Sequence, residues 1–439
     1  MTLLRLAVVL TALALACAAT QPSSPYLGKR ALVLLDSMEQ KQSFSIYFAA
    51  LENKGYELTF ARADDAAVKL VEFGEYLFDQ LVLFAPATER LAAGVDATAV
   101  MEFVRAGRSV VLAGASNMAE PMRELAAECG LVFDEQDSYV LDHVNFDASD
   151  ADGPHTLIAA DGFGLAAEAV LGTTELNPVL FRGIGHAVLG AGDDEGLVLE
   201  VLSGSAFAYS HVPSQTVETP LTVGATTALV TALQARNNAR MVVSGSIELF
   251  SDAFISATVT KASGAPSGVA SGNLEFALRL TAWAFQERGM LRLSNTHHYK
   301  TGDADKVQGS VYRVKDDIEF HTTIEEWTGT AWQPYTASDV QIEFQMLDPY
   351  VRLTMTHDSA GHYVGAFKVP DVYGVFQFKL TYRRHGYSSL LYAEQVVVRP
   401  FRHNEFERFI TQAWPYYTSA FSMMGCFFLF SFVFLHNRD

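Results

Sequence analysis

The 439-residue sequence predicts an α/β protein: a doubly wound N-terminal region, then a β-sandwich-like domain and one C-terminal transmembrane helix. Three observations predict this order. Short apolar runs alternate with helical patterns over the first third of the chain, as buried parallel strands and their crossover helices do. From about Val311 the hydrophobic period becomes two, with Gly, Pro and Asp between the runs. From Ala413 to Leu435 the chain carries no charge.

Residues 1–19 read as a secretory signal peptide. Arg5 supplies the positive start, Leu6 to Leu15 the apolar region, and Ala16-Cys17-Ala18 the small-residue cleavage site. Leu15 suits a lipobox poorly, which disfavours a lipoprotein reading through Cys17. Cleavage near Ala18 or Ala19 commits the mature N-terminus to the far side of a membrane, and a single later span makes a type I protein. Arg399, Arg402 and Arg408 before that span run against the positive-inside bias, but a cleaved signal outranks it.

The first expected domain covers 26–139. Arg30 to Asp36, Tyr56 to Ala61, Gln80 to Ala85 and Ser109 to Gly114 are strand-like, and Phe44 to Lys54, Val100 to Ala106 and Glu120 to Glu128 are helical. The strand ends lack catalytic motifs. Asp36-Ser37-Met38 carries no Gly-x-Gly-x-x-Gly, and Gly114-Ala115-Ser116-Asn117-Met118 lacks the second glycine of a nucleophile elbow. Cys129 falls a helix too late for a strand-end thiol and reads as a buried residue at a helix end.

Residues 140–290 read as a β-rich continuation with a closing helix, Asn273 to Arg288, ended by Gly289. His143, Asp147, Asp150, Asp152 and His155 have no metal-ligand spacing and read as a solvated loop. Arg236, Asn237, Asn238 and Arg240 stand beside an apolar strand as candidate polar contacts to a carboxylate, phosphate or sugar hydroxyl, or as residues that knit the loop to nearby backbone. Thr260 to Gly272 reads as a Gly/Ser/Ala-rich loop, and the tandem His297-His298 as another exposed loop. The sandwich-like domain is placed at 311–400; its adjacent Glu325-Glu326 point to opposite faces of a strand and make no acid/base pair.

The span at 413–435 fits a helix of about 20 apolar residues crossing a hydrocarbon layer of roughly 30 Å. Trp414, Tyr416 and Tyr417 mark one interface, and residues 436–439 form a short cytosolic tail. Thr418, Ser422 and Cys426 recur every four residues with Gly425 beside them, a small-residue stripe that lets a partner helix approach closely.

Composition narrows the partners. A net charge of −19 and a pI near 5.0 argue against nucleic acid or an anionic membrane surface. With Cys17 in the signal and Cys426 in the span, Cys129 is alone in the soluble part and forms no disulfide there. The sequence has no Asn-x-Ser/Thr acceptor for N-glycosylation.

Several long words, in order, resemble one family: Ala31 to Asp36, Gly55 to Phe60, Arg123 to Gly130, Gln234 to Arg240, Ser251-Asp252, Asp371 to Lys379, Glu407 to Ile410 and Ser419 to Met424. The sequence is similar to the 48 kDa subunits of the eukaryotic oligosaccharyltransferase complex, from Arg30 to His436. That complex transfers a preassembled glycan from dolichyl diphosphate to Asn of Asn-x-Ser/Thr in nascent chains. The resemblance implies an accessory, non-catalytic subunit in the endoplasmic reticulum membrane. It implies a glutaminase-like domain without glutaminase residues, and no catalytic, cofactor-binding or metal-binding residues. Partners implied are a polytopic catalytic subunit, a ribophorin II-like subunit, the defender-against-cell-death subunit and a ribophorin I-like subunit, within membrane lipid. The tail His436 to Asp439 departs from members that carry lysines there, so retention would come from assembly. The competing readings are a membrane-anchored hydrolase or amidotransferase using Ser116 or Cys129, and a glycan- or peptide-binding module.

Overall fold

The structure, a computed structural model, describes residues 28–189, 197–213, 215–216, 220–264, 266–303 and 305–437. The expected signal peptide and the last two tail residues lie outside them.

The largest sheet is centred on apolar runs flanked by the half-exposed edge strand Glu57–Arg62. Strands β1 (Arg30–Leu35), β2 (Glu57–Arg62), β3 (Gln80–Phe84) and β4 (Ser109–Ala113) pair in parallel in the order β2-β1-β3-β4. Every residue of β3 and β4 is buried, because both sheet faces are covered. Helices α1 (Ser45–Asn53), α2 (Ala97–Arg105) and α3 (Glu120–Glu128) join these strands. Asp96 caps α2 by accepting from Ala99 N at 2.9 Å, a contact worth about 1 kcal/mol. Pro121 enters the first turn of α3, where its missing N–H costs nothing.

The sheet does not stop at residue 139. After β5 (Leu131–Phe133), β6 (Gly162–Phe163), β7 (His186–Val188), β8 (Val198–Ser203) and β9 (Ala228–Gln234), the strand β10 (Arg240–Ser244) returns to lie parallel beside β4. The full order is β6-β8-β9-β10-β4-β3-β1-β2, antiparallel from β10 outward, with β7 joining β9 to β5. Helix α4 (Asn273–Ala284) closes the unit.

Alternation along each strand sorts the core into two layers. Val33, Leu35, Phe84 and Val242 face Tyr47 and Phe48 of α1 and Phe276, Leu280 and Trp283 of α4. Leu32, Leu34, Leu83 and Val243 face Val100 and Phe103 of α2 and Met122 and Leu125 of α3. Helices thus cover both faces, the doubly wound arrangement. The segment expected as a loop at 260–272 instead carries a small hairpin, Thr258–Thr260 with Ser267–Ala270.

The second domain begins earlier than the period-two pattern signalled. Strand β11 (Met290–Lys300) pairs with β13 (Asp317–Trp327), so His297 and His298 sit in a strand and not in an exposed loop. His298 is fully buried, 2.6 Å from the Tyr312 hydroxyl and stacked on Phe378. A register shift between Ser294 and His297 breaks the alternation, which hides the strand from a period-two reading. The two sheets hold β12 (Val311–Arg313), β14 (Trp332–Pro334), β15 (Gln341–Gln345), β16 (Pro349–Thr354), β17 (Thr356–His357), β18 (His362–Lys368), β19 (Gly374–Tyr382) and β20 (Leu390–Arg399) besides. Their orders are β11-β13-β18-β17, with β14 on β13, and β12-β20-β19-β15-β16. Phe320, Phe344, Phe376 and Phe378 pack between them.

One buried group gives the α/β domain an acid limit. His186 on β7 is fully buried, its Nε2 3.1 Å from Thr231 Oγ1 and its Nδ1 without a partner. Burial pulls its pKa from 6.5 down to about 3. Between those values the unfolded chain binds a proton that the folded chain does not, so stability falls as pH drops through that window. At pH 5 the loss from this residue is about 2 kcal/mol. We expect His186→Gln, which keeps a partner for Thr231, to flatten the fall in melting temperature between pH 6.5 and 5; an unchanged slope overturns the assignment.

Candidate functional site

Doubly wound sheets place catalytic groups at the carboxyl ends of their parallel strands. Asp36, after β1, accepts from Thr88 Oγ1 at 2.7 Å and from Ala87 N, so its carboxylate ties two strand ends together. Ser116, after β4, accepts through its carbonyl from Asp137 N, and no histidine bonds its hydroxyl among the described residues. Cys129 is the C-cap of α3, 8% exposed, with its sulfur against Met241 Sδ at 3.5 Å. Burial pushes its thiol up to about 11, the opposite of an activated nucleophile. Among the described residues, neither side chain is hydrogen-bonded to a base of the kind a hydrolase or amidotransferase uses.

The polar loop at 143–155 is closed on itself. Asp147 accepts from Ser149 N, Ser149 Oγ and Thr260 N, while Asp150 accepts from Thr156 N and Leu157 N. His143 faces His155 Nδ1 at 2.6 Å and Tyr209 Oη at 2.9 Å. No group of three or more His, Cys, Asp or Glu among the described residues is arranged to hold a metal ion.

The candidate polar contacts at 236–240 have a different occupation. Arg240, the first residue of β10, is fully buried. Its guanidinium donates to Trp283 O at 2.9 Å, to Gly289 O at 2.8 Å, to Gly386 O at 3.1 Å and to Arg288 O, and lies over the Trp283 ring at 4.7 Å. Burial lowers its pKa to about 9, with Glu326 opposing, so it remains charged at neutral pH. It therefore presents no face to a ligand. Asn237 donates to Val104 O and Arg105 O at the end of α2. Asn238 takes the left-handed conformation, φ +66°, and accepts from Ser389 N at 2.8 Å. Arg236 stays exposed on the rim of a cleft.

These bonds cross from the α/β unit to the β19–β20 loop of the second domain. Gln234 donates to Tyr387 O, Trp283 Nε1 to Gly386 O at 2.7 Å, and Ser388 N to Gly289 O at 2.8 Å. Gly386 has φ +79°, and a Cβ there would come within 2.7 Å of Ala169 Cβ, so only glycine fits. No period or motif announces this clamp in the sequence; its one local signal was the Arg/Asn-rich turn itself.

Beyond β20, Arg399 pairs with both Glu405 oxygens at 2.6 and 2.7 Å, bracing the segment that leads out of the domain. Helix α5 (Trp414–His436) follows, and among the described residues nothing covers its Thr418, Ser422, Gly425 and Cys426, which are exposed. Among the described residues it lies in the one helix long and apolar enough to cross a membrane, Thr411–His436, with a mean hydropathy of 1.8.

Two packed domains and an exposed apolar helix define a class: a folded two-domain body followed by a candidate membrane anchor. Relatives make the family specific. The model of the OST48 N-terminal domain matches residues 23–287 and that of the OST48 middle domain matches 297–438. The chain therefore belongs to the OST48 family. It is 45% identical to the dolichyl-diphosphooligosaccharide–protein glycosyltransferase 48 kDa subunit of Arabidopsis thaliana, over 93% of each chain. The same-named subunits of Danio rerio and Drosophila melanogaster are 43% and 41% identical over 93% of this chain and 92% and 91% of theirs. A solved structure, a putative ThuA-like protein from Parabacteroides merdae, aligns with 58% of this chain and 89% of its own at 14% identity and a TM-score of 0.31.

Arg240→Met should remove one buried charge and its four hydrogen bonds to backbone carbonyls. We expect a loss of about 3–5 kcal/mol in urea unfolding of the full chain in detergent, with protease cleavage appearing between the domains. Arg240→Lys, a point charge without the planar fork, should fall between. Wild-type stability in Arg240→Met would refute the clamp.

Proposed function

We propose that this chain is an accessory, non-catalytic subunit of the endoplasmic reticulum oligosaccharyltransferase complex. That complex moves a preassembled glycan from dolichyl diphosphate to Asn of Asn-x-Ser/Thr. The observation that carries the reading is identity of 41–45% along nearly the whole length of subunits so named. The strand ends without a nucleophile–base pair support the non-catalytic part of the reading.

In this reading residues 1–19 are a cleaved signal, the bulk of the chain is lumenal, 413–435 spans the membrane as a type I anchor and 436–439 is cytosolic. We take 26–139 as glutamine-amidotransferase-like with 140–290 as its continuation, supported by the sheet that runs through both. We extend the 311–400 sandwich back to Met290, supported by the pairing of β11 with β13. Partners are the polytopic catalytic subunit and the ribophorin II-like, defender-against-cell-death and ribophorin I-like subunits. Thr418, Ser422, Gly425 and Cys426 would take a partner helix, since none of the described residues covers them. Asn238 and Arg240 serve the clamp and Asn237 donates to the end of α2, while Arg236 and Asn237 stay exposed.

The test is purification of the tagged chain from microsomes in mild detergent, assayed for glycan transfer to an Asn-x-Thr peptide. Activity should arrive with the chain and persist with Ser116→Ala plus Cys129→Ala; a lone monomer without activity would overturn the reading. Ser422→Leu with Cys426→Leu should cut recovery of the other subunits at least about fivefold by filling the close-approach face. Full recovery would instead leave the helix a plain anchor.

A further inference from the structure

The solvent face of the sandwich's second sheet turns apolar at one end. Val311 on β12, Val397 on β20 and Val375 on β19 stand in register across three neighbouring strands, and all three are exposed. Alternation along β19 buries Phe376 and Phe378, so Val375 faces out on the same side as Gln377, Lys379 and Thr381. A polar outer face is what an antiparallel sheet shows to water, and the valine row departs from it. Two loop tips stand at the same end. Tyr373 precedes β19 and is 68% exposed, and Leu347 lies in the β15–β16 turn and is 91% exposed. The tips are neighbours, since a Cβ on Gly374 would come within 2.9 Å of Met346 Sδ. Tyr350 adds another exposed phenol, its ring centroid 5.4 Å from that of Phe376.

The chain leaves for its apolar helix from this end. β20 runs toward it and stops at Arg399, two residues past Val397. The exit stays fastened to the domain as far as Phe406: Phe401 packs on the sandwich core, its ring centroid lies 5.4 Å from that of Phe406, and Arg399 holds Glu405. Seven residues, Glu407 to Ala413, then lead to α5, and fully extended they reach about 25 Å. Phe409 and Ile410 on this link, and Trp414, Tyr416 and Tyr417 at the head of α5, are exposed as well. Apolar and phenolic groups therefore continue from the sheet to the helix. Leucine and tyrosine side chains projecting from loop tips suit insertion among headgroups, where an apolar body with a polar tip is most stable. A chain of net charge −19 gains nothing from an anionic surface, which points to zwitterionic phospholipid.

We propose that this end of the sandwich docks on the headgroup layer of the membrane that α5 enters, with Leu347 and Tyr373 inserted and the valine row at the surface beside them. The inference rests on the reading of α5 as a span. The second domain then holds the membrane at two places, the anchor and the sheet end, which fixes its tilt.

The test places photo-reactive benzoylphenylalanine at Leu347 of the tagged full chain, irradiates intact microsomes and reads the mass of the labelled peptide after purification. The expected product carries one phosphatidylcholine or phosphatidylethanolamine. The same probe at Leu391, exposed on the same sheet face at the opposite end of β20, should give at least about fivefold less lipid adduct. Tyr373→Asp plus Val375→Asp should lower the yield at Leu347 at least about fivefold, with an unchanged melting temperature showing that the variant folds. Tyr373→Ser lies outside every described strand and should lower it at least about twofold without touching the sheet. An adduct to another protein or within this chain overturns the proposal. So do equal yields at the two probe positions, or a yield indifferent to these substitutions. Alkaline carbonate extraction separates the two readings. A chain retained in the membrane without a lipid adduct at Leu347 defeats the docking alone, and a chain released by carbonate defeats the span on which it rests.

Discussion

The structure turns on the burial of the Arg240 guanidinium. A fully buried cation survives only where hydrogen bonds replace its water, and here four carbonyls do so while the Trp283 ring covers one face. Those carbonyls come from three places: the end of α4, the Arg288-Gly289 link between domains, and Gly386 in the sandwich loop. The cation at the head of β10 therefore holds the closing helix, the linker and the second domain at once. Its geometry demands two glycines, since a Cβ on Gly289 would meet Gly386 O at 2.6 Å and one on Gly386 would meet Ala169.

This makes the two domains one mechanical unit without covalent help. The free cysteines among the described residues are Cys129, buried in the core, and Cys426, on the exposed apolar helix. Stability must come from packing, and the core has enough: Trp283, Phe276, Phe285, Phe250 and Phe84 are all fully buried. Each such side chain contributes roughly 1.5–3 kcal/mol by burial alone. The clamp adds orientation as well as stability, because its four bonds offset the loss of water around the charge while fixing where helix, linker and loop meet.

What could be read in the sequence was whatever has a period. Continuous apolar runs such as Leu81 to Phe84 and Val110 to Ala113 marked the buried parallel strands, and alternation at Ile342 to Gln345 marked the second domain. The return of β10 into the parallel sheet could not be read, because an apolar strand looks the same wherever it pairs. His298 defeated the reading for another reason. A histidine is polar by composition but becomes a core residue once Tyr312 satisfies one nitrogen and Phe378 its ring face. The turn at Arg236 to Arg240 was noticed for its residue types, yet burial divides its members. Arg240 goes inward to backbone and Arg236 stays at the rim, a difference no local pattern carries.

The chain's route to its apolar helix follows from the same economy of contacts. β20 ends at Arg399, where the Glu405 carboxylate accepts from the guanidinium and from Arg402 N, so the exit turns back on the domain before leaving it. Along the mostly polar stretch from Pro400 to Ala413, Phe406, Phe409 and Ile410 are exposed. These side chains beside an exposed apolar helix make a surface suited to cover by lipid headgroups or other protein. The α/β domain is fixed to the sandwich through Arg240, so whatever holds the exposed α5 also orients the farthest strand of the large sheet.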